Sequence, residues 1–270
     1  DGLHLWETVA KRPIAKRAKS ISVLPRVKIP KTPERISTRE LSGIYLDLLM
    51  RGGCDLITGS ADLADNTRVK TSVSKVISAD KFNGNYINYG VREHGMAAIM
   101  NGMAVDGLRA VGSTFLVFSD YMKPSIRIAA LSGLPVIYVF THDSIAVGED
   151  GPTHQPVEQL PSLRLIPGLN VWRPCNMNEV AYAWNESIRD SEHPSAIVLS
   201  RQKFKQIESP TDSKMGRGGY VIWRAKSGYA RTTLIASGSE VPLAVEIASR
   251  FKNVQVVFES EKIDNYKEVI

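Results

Sequence analysis

The sequence predicts an α/β fold, a mostly parallel doubly wound sheet with helices on both faces, followed by an incomplete second α/β domain. Three observations predict it. Short β-branched and aromatic runs such as Leu134–Phe140 (L-P-V-I-Y-V-F) alternate with helix-period stretches from Thr38 to Gln202. Polar, Gly-containing segments follow the carboxyl ends of those runs, where open α/β sheets hold their ligands. A second alternation restarts at Thr232, after a stretch punctuated by Pro210, Gly216, Gly218 and Gly219.

The first segment, 1–36, is predicted to hold one or two short basic helices and a linker marked by Pro25, Pro30 and Pro33. Residues 1–35 carry nine Lys/Arg and three acids, a net of +6 that equals the charge of the whole 270-residue chain. Such a run reads as a solvated helix face or linker, and neither a nucleic acid nor a membrane surface is expected as a partner. The chain begins at Asp1 with no secretory leader pattern, so a trimmed start is expected. No stretch approaches membrane-spanning length. Two cysteines, Cys54 and Cys175, build neither a disulfide framework nor a zinc motif, and a reducing cytoplasm is the expected setting.

Ser37-Thr38-Arg39-Glu40 offers a hydroxyl cap ahead of the apolar spacing Leu41, Ile44, Leu48, Leu49, so a helix is predicted from Thr38. Cys54–Thr58 reads as a strand turning into G-S-A-D-L, and Arg68–Phe82 as a surface excursion. Asn85–Asn88 is a predicted strand leading to G-V-R-E-H-G and a small-residue helix, Met96–Val105, of the kind that packs closely, often on another subunit. Arg109–Gly112 starts the next unit, Ser119–Leu131 is a helix, and Leu134–Phe140 is the strand beneath Thr141–Pro156. Val171–Arg173 and Ser195–Ser200 are strands around a helix at Asn178–Ile188. Lys203–Ser227 reads as a linker. Thr232–Ala236, Val241–Phe251 and Val254–Phe258 then give strand, helix and strand.

Several residues could do chemistry. Glu93, between Arg92 and His94 at a strand-to-helix junction, is either a helix-start carboxylate paired with Arg92 or an acid buried enough to share a proton with a ligand nitrogen. Phe115, Phe118 and Tyr121 at i, i+3 and i+6 have core spacing on a helix, but could also clamp a flat heterocycle. Thr141–Pro156 (T-H-D-S-I-A-V-G-E-D-G-P-T-H-Q-P) gathers His142, Asp143, Glu149, Asp150 and His154. A metal there would need H-x11-H spacing, which matches no common zinc pattern. Arg39 and Arg201 sit at element edges, where a solvated guanidinium is the default. Converging with a histidine, they would suit a phosphate. The Ser237–Glu240 turn reads as an ordinary βα loop that could also cradle an anion.

Taken in order, G-S-A-D-L, Y-G-V-R-E-H-G-M-A-A-I-M-N-G, T-F-L-V-F-S-D-Y, the Thr141–Pro156 loop and L-S-R-Q closely resemble transketolase, from about Thr38 to Gln202. The resemblance implies the thiamine-diphosphate-binding fold, with 37–205 a pyrimidine-binding domain, 206–228 a linker and 229–270 part of a C-terminal domain. It implies transfer of a two-carbon ketol unit between sugar phosphates with thiamine diphosphate. It also implies Mg2+ or Ca2+, bound by a GDG…N motif on an N-terminal domain. Gly148-Glu149-Asp150-Gly151 is not that motif, so this chain is expected to hold no metal ligand and to be inactive alone. It would then work as a homodimer or with a diphosphate-binding domain or subunit. The alternatives are a non-catalytic remnant and one subunit of a split enzyme.

Residue by residue, the resemblance implies that Glu93 bonds the aminopyrimidine nitrogen, that Phe115, Phe118 and Tyr121 wall the ring, and that Asp62 contacts the cofactor across a subunit interface. His154 would lie near the reacting carbonyl and Asp150 would read hydroxyl stereochemistry. His142, Arg39 and Arg201 would hold the sugar phosphate. Asn66 stands where the family carries a phosphate-binding serine. Its amide can still donate to phosphate, while Asp65 beside it adds repulsion.

Overall fold

The computed structural model describes residues 24–209 and 215–259. Most of the predicted basic helical segment, the tail beyond Glu259 and part of the expected linker lie outside them.

The larger unit is a six-stranded, all-parallel sheet. Its strands are β2 (Ile57–Ser60), β3 (Tyr86–Asn88), β4 (Ala110–Phe115), β5 (Ile137–Thr141), β6 (Asn170–Trp172) and β7 (Ser195–Leu199), in the order β3-β2-β4-β5-β7-β6. The antiparallel pair β1 (Arg35–Ile36) and β8 (Phe204–Lys205) lies beyond the carboxyl end of β7, with Arg35 opposite Lys205.

Strand alternation divides the core into two layers. Ile137 and Val139 of β5 and Ile197 and Leu199 of β7 face α1 (Thr38–Arg51) and α6 (Met177–Arg189), joining Leu41, Leu46, Leu49, Val180 and Trp184. Tyr138, Phe140, Ala196 and Val198 face the other way, packing with Met96 and Met100 of α3 (Glu93–Val105) and Met122 and Ile126 of α4 (Ser119–Leu131). A sheet covered on both faces needs continuous apolar strands, and β4, β5 and β7 are buried throughout.

Capping chemistry fixes the first helix. Ser37 accepts from the Glu40 N–H at 3.3 Å, and Glu40 accepts from the Ser37 N–H at 3.2 Å. Thr38 and Ser200 then exchange bonds: the Ser200 N–H donates to Thr38 Oγ1 at 2.8 Å and the Thr38 N–H to Ser200 Oγ at 3.1 Å. That exchange ties the start of α1 to the end of β7, and so brings Arg39 beside Arg201. Trp184 Nε1 donates to Ser42 Oγ at 2.9 Å and locks α6 against α1.

Several boundaries differ from the sequence reading. The strand expected at Cys54–Thr58 begins at Ile57, and the one expected at Leu134–Phe140 runs from Ile137 to Thr141. Helix α3 starts at Glu93, three residues before the predicted Met96. The three aromatics do not share a helix: Phe115 ends β4, Phe118 sits in a 3-10 turn and Tyr121 lies in α4.

The stretch read as a linker carries structure. Besides β8 it holds β9 (Gly219–Trp223), which pairs antiparallel with β11 (Val254–Glu259); β11 in turn pairs parallel with β10 (Thr232–Ala236). With α7 (Val241–Ser249), these strands bury Tyr220, Ile222, Val241, Val256 and Phe258 in a second core, which Cys175 of the larger unit joins. Gly216, Gly218 and Gly219 masked β9 in the sequence, because glycine is a turn signal and only Tyr220–Trp223 is β-prone.

Candidate active site

Parallel strands put every loop that follows a strand's carboxyl end on one edge. Asp62 and Asn66 come after β2, Glu93 after β3, Phe115 and Phe118 at the end of β4, His142 after β5 and Arg201 after β7. The chain moves from β2 outward to β3 and then back across to β4, so the order reverses between β2 and β4. A crevice opens at such a reversal.

Aromatic side chains build one wall. The Phe115 ring stacks on His142 at 3.7 Å between centroids and lies parallel to Phe118 at 5.9 Å. The His154 ring meets Phe118 edge-on at 5.3 Å and Phe115 at 6.1 Å. The two histidines of Thr141–Pro156 therefore join the aromatics the sequence singled out. Tyr121 extends the row from Phe118 at 6.3 Å but is 64% exposed, so within this chain it stands at the rim.

His142 is buried and left-handed, with φ +60 in a residue that has a Cβ. Such a conformation costs about 1 kcal/mol or more and persists where its surroundings hold it. Thr141 Oγ1 lies 2.9 Å from His142 Nδ1. Burial, and after it the charges of Arg39 and Arg201 and the nearby His154, push the imidazole down to about 3. At neutral pH the ring is uncharged, so its free nitrogen can share a proton with a ligand without adding charge to the site.

Arg39 donates from Nη1 to the Asn66 carbonyl at 3.0 Å, while its buried Nε has no hydrogen-bond partner among the described residues. Burial first, and then Arg68 and Arg201, hold its pKa below the usual arginine value. Gathered cations of this kind make a pocket that favours an anion.

Glu93 is the first residue of α3 and 8% exposed. The expected pairing with Arg92 does not form: Arg92 Nη1 donates to the Tyr89 carbonyl at 3.0 Å. Among the described residues the Glu93 carboxylate has no hydrogen-bond or ion-pair partner. A mostly buried side chain whose carboxylate meets no donor among the described residues is open to a ligand that donates to it.

The remaining predicted residues lie at the margins. Asp62, with φ +63, and Asn66 are exposed beside a cavity of 200 Å³ lined by Ser60, Asp62, Asp65, Asn66, Tyr86 and Asn88. Asp150 is exposed on the 3-10 turn Gly148–Asp150. His154 is half-buried, with Thr153 Oγ1 at 2.8 Å from its Nδ1. Among the described residues no group of three or more His, Cys, Asp or Glu could hold a metal ion, and no helix is long and apolar enough to cross a membrane.

Sequence reasoning missed Arg68, Arg173, Glu179 and Gln202. Arg173 follows β6 and binds Asp143, the neighbour of His142, through Nε and Nη2, both 2.9 Å from Oδ2. Burial works against its charge, yet Asp143 and Glu240 outweigh it and hold the guanidinium above its ordinary value. The available signal was an arginine directly after V-W in a strand with no polar run around it. A cation there must meet acids brought from elsewhere.

The chain's residues 34–206 match the family described as transketolase, pyrimidine binding domain. It is 48% identical over 228 residues to a transketolase of Halalkalibacterium halodurans, covering 83% of this chain and 34% of that protein. The fold superposes on a transketolase from Leishmania mexicana with a TM-score of 0.85 at 35% identity, covering 98% of this chain and 42% of the other. A structure titled split gene transketolase, inactive beta4 tetramer, matches with a TM-score of 0.66 at 25% identity, over 84% of this chain and 72% of the other. The chain thus spans about a third of the length of the curated relatives it matches.

Proposed function

The chain belongs to the transketolase family, and from that membership we propose that it carries the pyrimidine-binding half of a thiamine-diphosphate site. That site moves a two-carbon ketol unit between sugar phosphates, as in the pentose phosphate pathway. The observation that carries this reading is Glu93, a buried side chain whose carboxylate has no partner among the described residues, on the edge where the aromatic wall stands. A ring nitrogen donor fits that gap. The cofactor, when bound, supplies a thiazolium carbon that acts as a carbanion toward a carbonyl.

The chain's own residues prepare the place for it. Glu93 would hydrogen-bond the aminopyrimidine ring nitrogen, which would favour the imino tautomer whose exocyclic nitrogen can accept a proton. Phe115 and Phe118 exclude water and fix the ring's tilt. Arg39 and Arg201 draw in the substrate phosphate, and neutral His142 donates or accepts beside them. His154, edge-on to Phe118, faces the reacting carbonyl. Asp150 reads the acceptor hydroxyls, Tyr121 closes the rim, and Asp62 reaches the cofactor across a subunit boundary. Asn66 offers its amide to the phosphate.

Diphosphate and Mg2+ or Ca2+ are read as bound by another domain, on the same longer polypeptide or on a separate one. A second copy is the natural partner for α3, whose Ile99 and Val105 are 50% and 70% exposed beside Gly95 and Gly102. A cytoplasmic setting fits the two free thiols, Cys54 and Cys175. The second reading is one subunit of a split enzyme, favoured by the match over most of the split-gene chain.

The test is to combine the chain with a transketolase diphosphate-binding domain, thiamine diphosphate and Mg2+, and to assay ketol transfer. Glu93→Ala is expected to lower the rate at least about 100-fold, the low end for removal of a positioned proton-transfer group. Equal rates for parent and variant would overturn the reading.

A further inference from the structure

Two bridges run from the second α/β unit to the turn that carries His142. In the first, the Arg173 side chain is 9% exposed and holds Asp143 through Nε and Nη2, both at 2.9 Å. Its Nη1 reaches the second unit, 2.6 Å from Glu240 Oε2, 3.1 Å from Ser237 Oγ and 3.3 Å from the Ser237 carbonyl. The Arg173 carbonyl accepts from the Gly238 N–H at 3.1 Å. In the second, Gln202 Nε2 donates to Ser239 Oγ at 2.9 Å and lies 3.4 Å from Ser144 Oγ, two residues beyond His142.

The contact is built closely. Gly238 has φ +55, and a Cβ on it would lie 2.9 Å from Arg173 Nε and 3.0 Å from its Cγ. Only glycine lets the turn seat against the guanidinium. On the other side, Asp143 follows His142, whose left-handed backbone and 3.7 Å stack on Phe115 must be held from outside the residue. A planar fork with its donors committed on two sides is a rigid link between them.

The geometry points to Arg173 as a positioning residue, with Gln202 in support: docking of the Ser237–Glu240 turn sets the pose of His142, and with it the affinity of the site for a phosphorylated ligand. The ligand part of this inference rests on the proposed role of His142, whereas the effect on its pose does not. Neither bridge touches the aromatic wall. Their effect on the site passes through Asp143 and Ser144.

The experiment uses the 270-residue chain with its histidine rings isotopically labelled. His142 is assigned by its absence in His142→Asn, and its NMR shift and titration are followed in the parent, Glu240→Gln, Glu240→Ala and Arg173→Lys. The other charges near the ring, Arg39, Arg201 and His154, are unchanged in every variant. Glu240→Ala is expected to displace the His142 resonance and raise its titration midpoint by at least about one unit, as the ring gains solvent. Glu240→Gln, which keeps a hydrogen bond, is expected to restore most of the parent position. Arg173→Lys should exceed Glu240→Ala in effect.

An unmoved His142 resonance in folded Glu240→Ala would overturn the coupling, even if that variant were less stable. Glu240 lies half-exposed on the second unit, so its variants keep the test open should Arg173→Lys fail to fold. Ribose 5-phosphate binding, measured by calorimetry on the same proteins, is expected to weaken about tenfold in Glu240→Ala. If the parent binds no sugar phosphate, the function reading fails while the His142 shifts still decide the coupling.

Discussion

Glu93 and Glu179 are the same residue type, both buried, both in the first turn of a helix, and they live in opposite surroundings. Glu179 accepts from the Cys175 N–H at 2.7 Å, from Asn176 Nδ2 at 3.4 Å and from the Tyr220 hydroxyl, which ties α6 to β9. Among the described residues Glu93 accepts nothing. The sheet edge that carries Glu93 also carries aromatic rings, a left-handed histidine and an arginine nitrogen with no partner among the described residues, whereas the neighbours of Glu179 close a network. Burial alone does not mark a functional carboxylate. Bonding capacity left over on the edge where the other candidate residues gather is what makes Glu93 the candidate of the two.

Four perturbations test the contrast. The largest effect is expected for Glu93→Gln in the complemented transfer assay, a rate loss of about 100- to 10,000-fold. Its unfolding free energy in urea should stay within about 1 kcal/mol of the parent, the scale of a helix-start charge. Glu179→Ala should do the reverse. Urea unfolding is expected to show a loss of about 3 kcal/mol, since the Tyr220 hydroxyl and the Cys175 N–H lose their acceptor. Gly238→Ala comes next, at about 2 kcal/mol, from a left-handed backbone and a Cβ driven against Arg173.

The smallest effect is a pair of opposed pH slopes, on the order of 1 kcal/mol per pH unit at most. Burial raises Glu179 to about 7, so its favourable contribution is fully present below the unfolded value near 4.5 and is lost as pH rises toward 7. His142 is pushed down to about 3, so the fold loses stability as pH falls from about 6.5 toward 3, while the unfolded chain takes up a proton. Chemical denaturation of Glu179→Gln and His142→Asn against the parent, from pH 4 to 7.5, should show each variant flattening its own slope.

How much was legible in the sequence follows from the range of each interaction. Ser119–Leu131 was read to the residue because its helix period and flanking turns are local. The candidate residues on the carboxyl edge of the sheet were singled out because strand ends with Gly, His and Asp carry a local signal and because their motifs resemble a known family. Arg173 and Glu179 were missed because their partners lie 30 to 67 positions away, at Asp143, Tyr220 and Glu240, and no periodicity records such a meeting. The strand Gly219–Trp223 was lost to its own glycines. The aromatic triad was read with a helical period, when a strand end, a 3-10 turn and a helix share it.

The most direct measurement pairs the two glutamates in one assay. The chain, Glu93→Gln and Glu179→Gln are each combined with a diphosphate-binding domain, thiamine diphosphate and Mg2+, and ketol transfer is read alongside the urea midpoint of each protein. The account predicts that Glu93→Gln loses transfer by at least about 100-fold at an unchanged midpoint, while Glu179→Gln keeps its transfer rate wherever it is folded. Transfer by Glu93→Gln at the parent rate would contradict it.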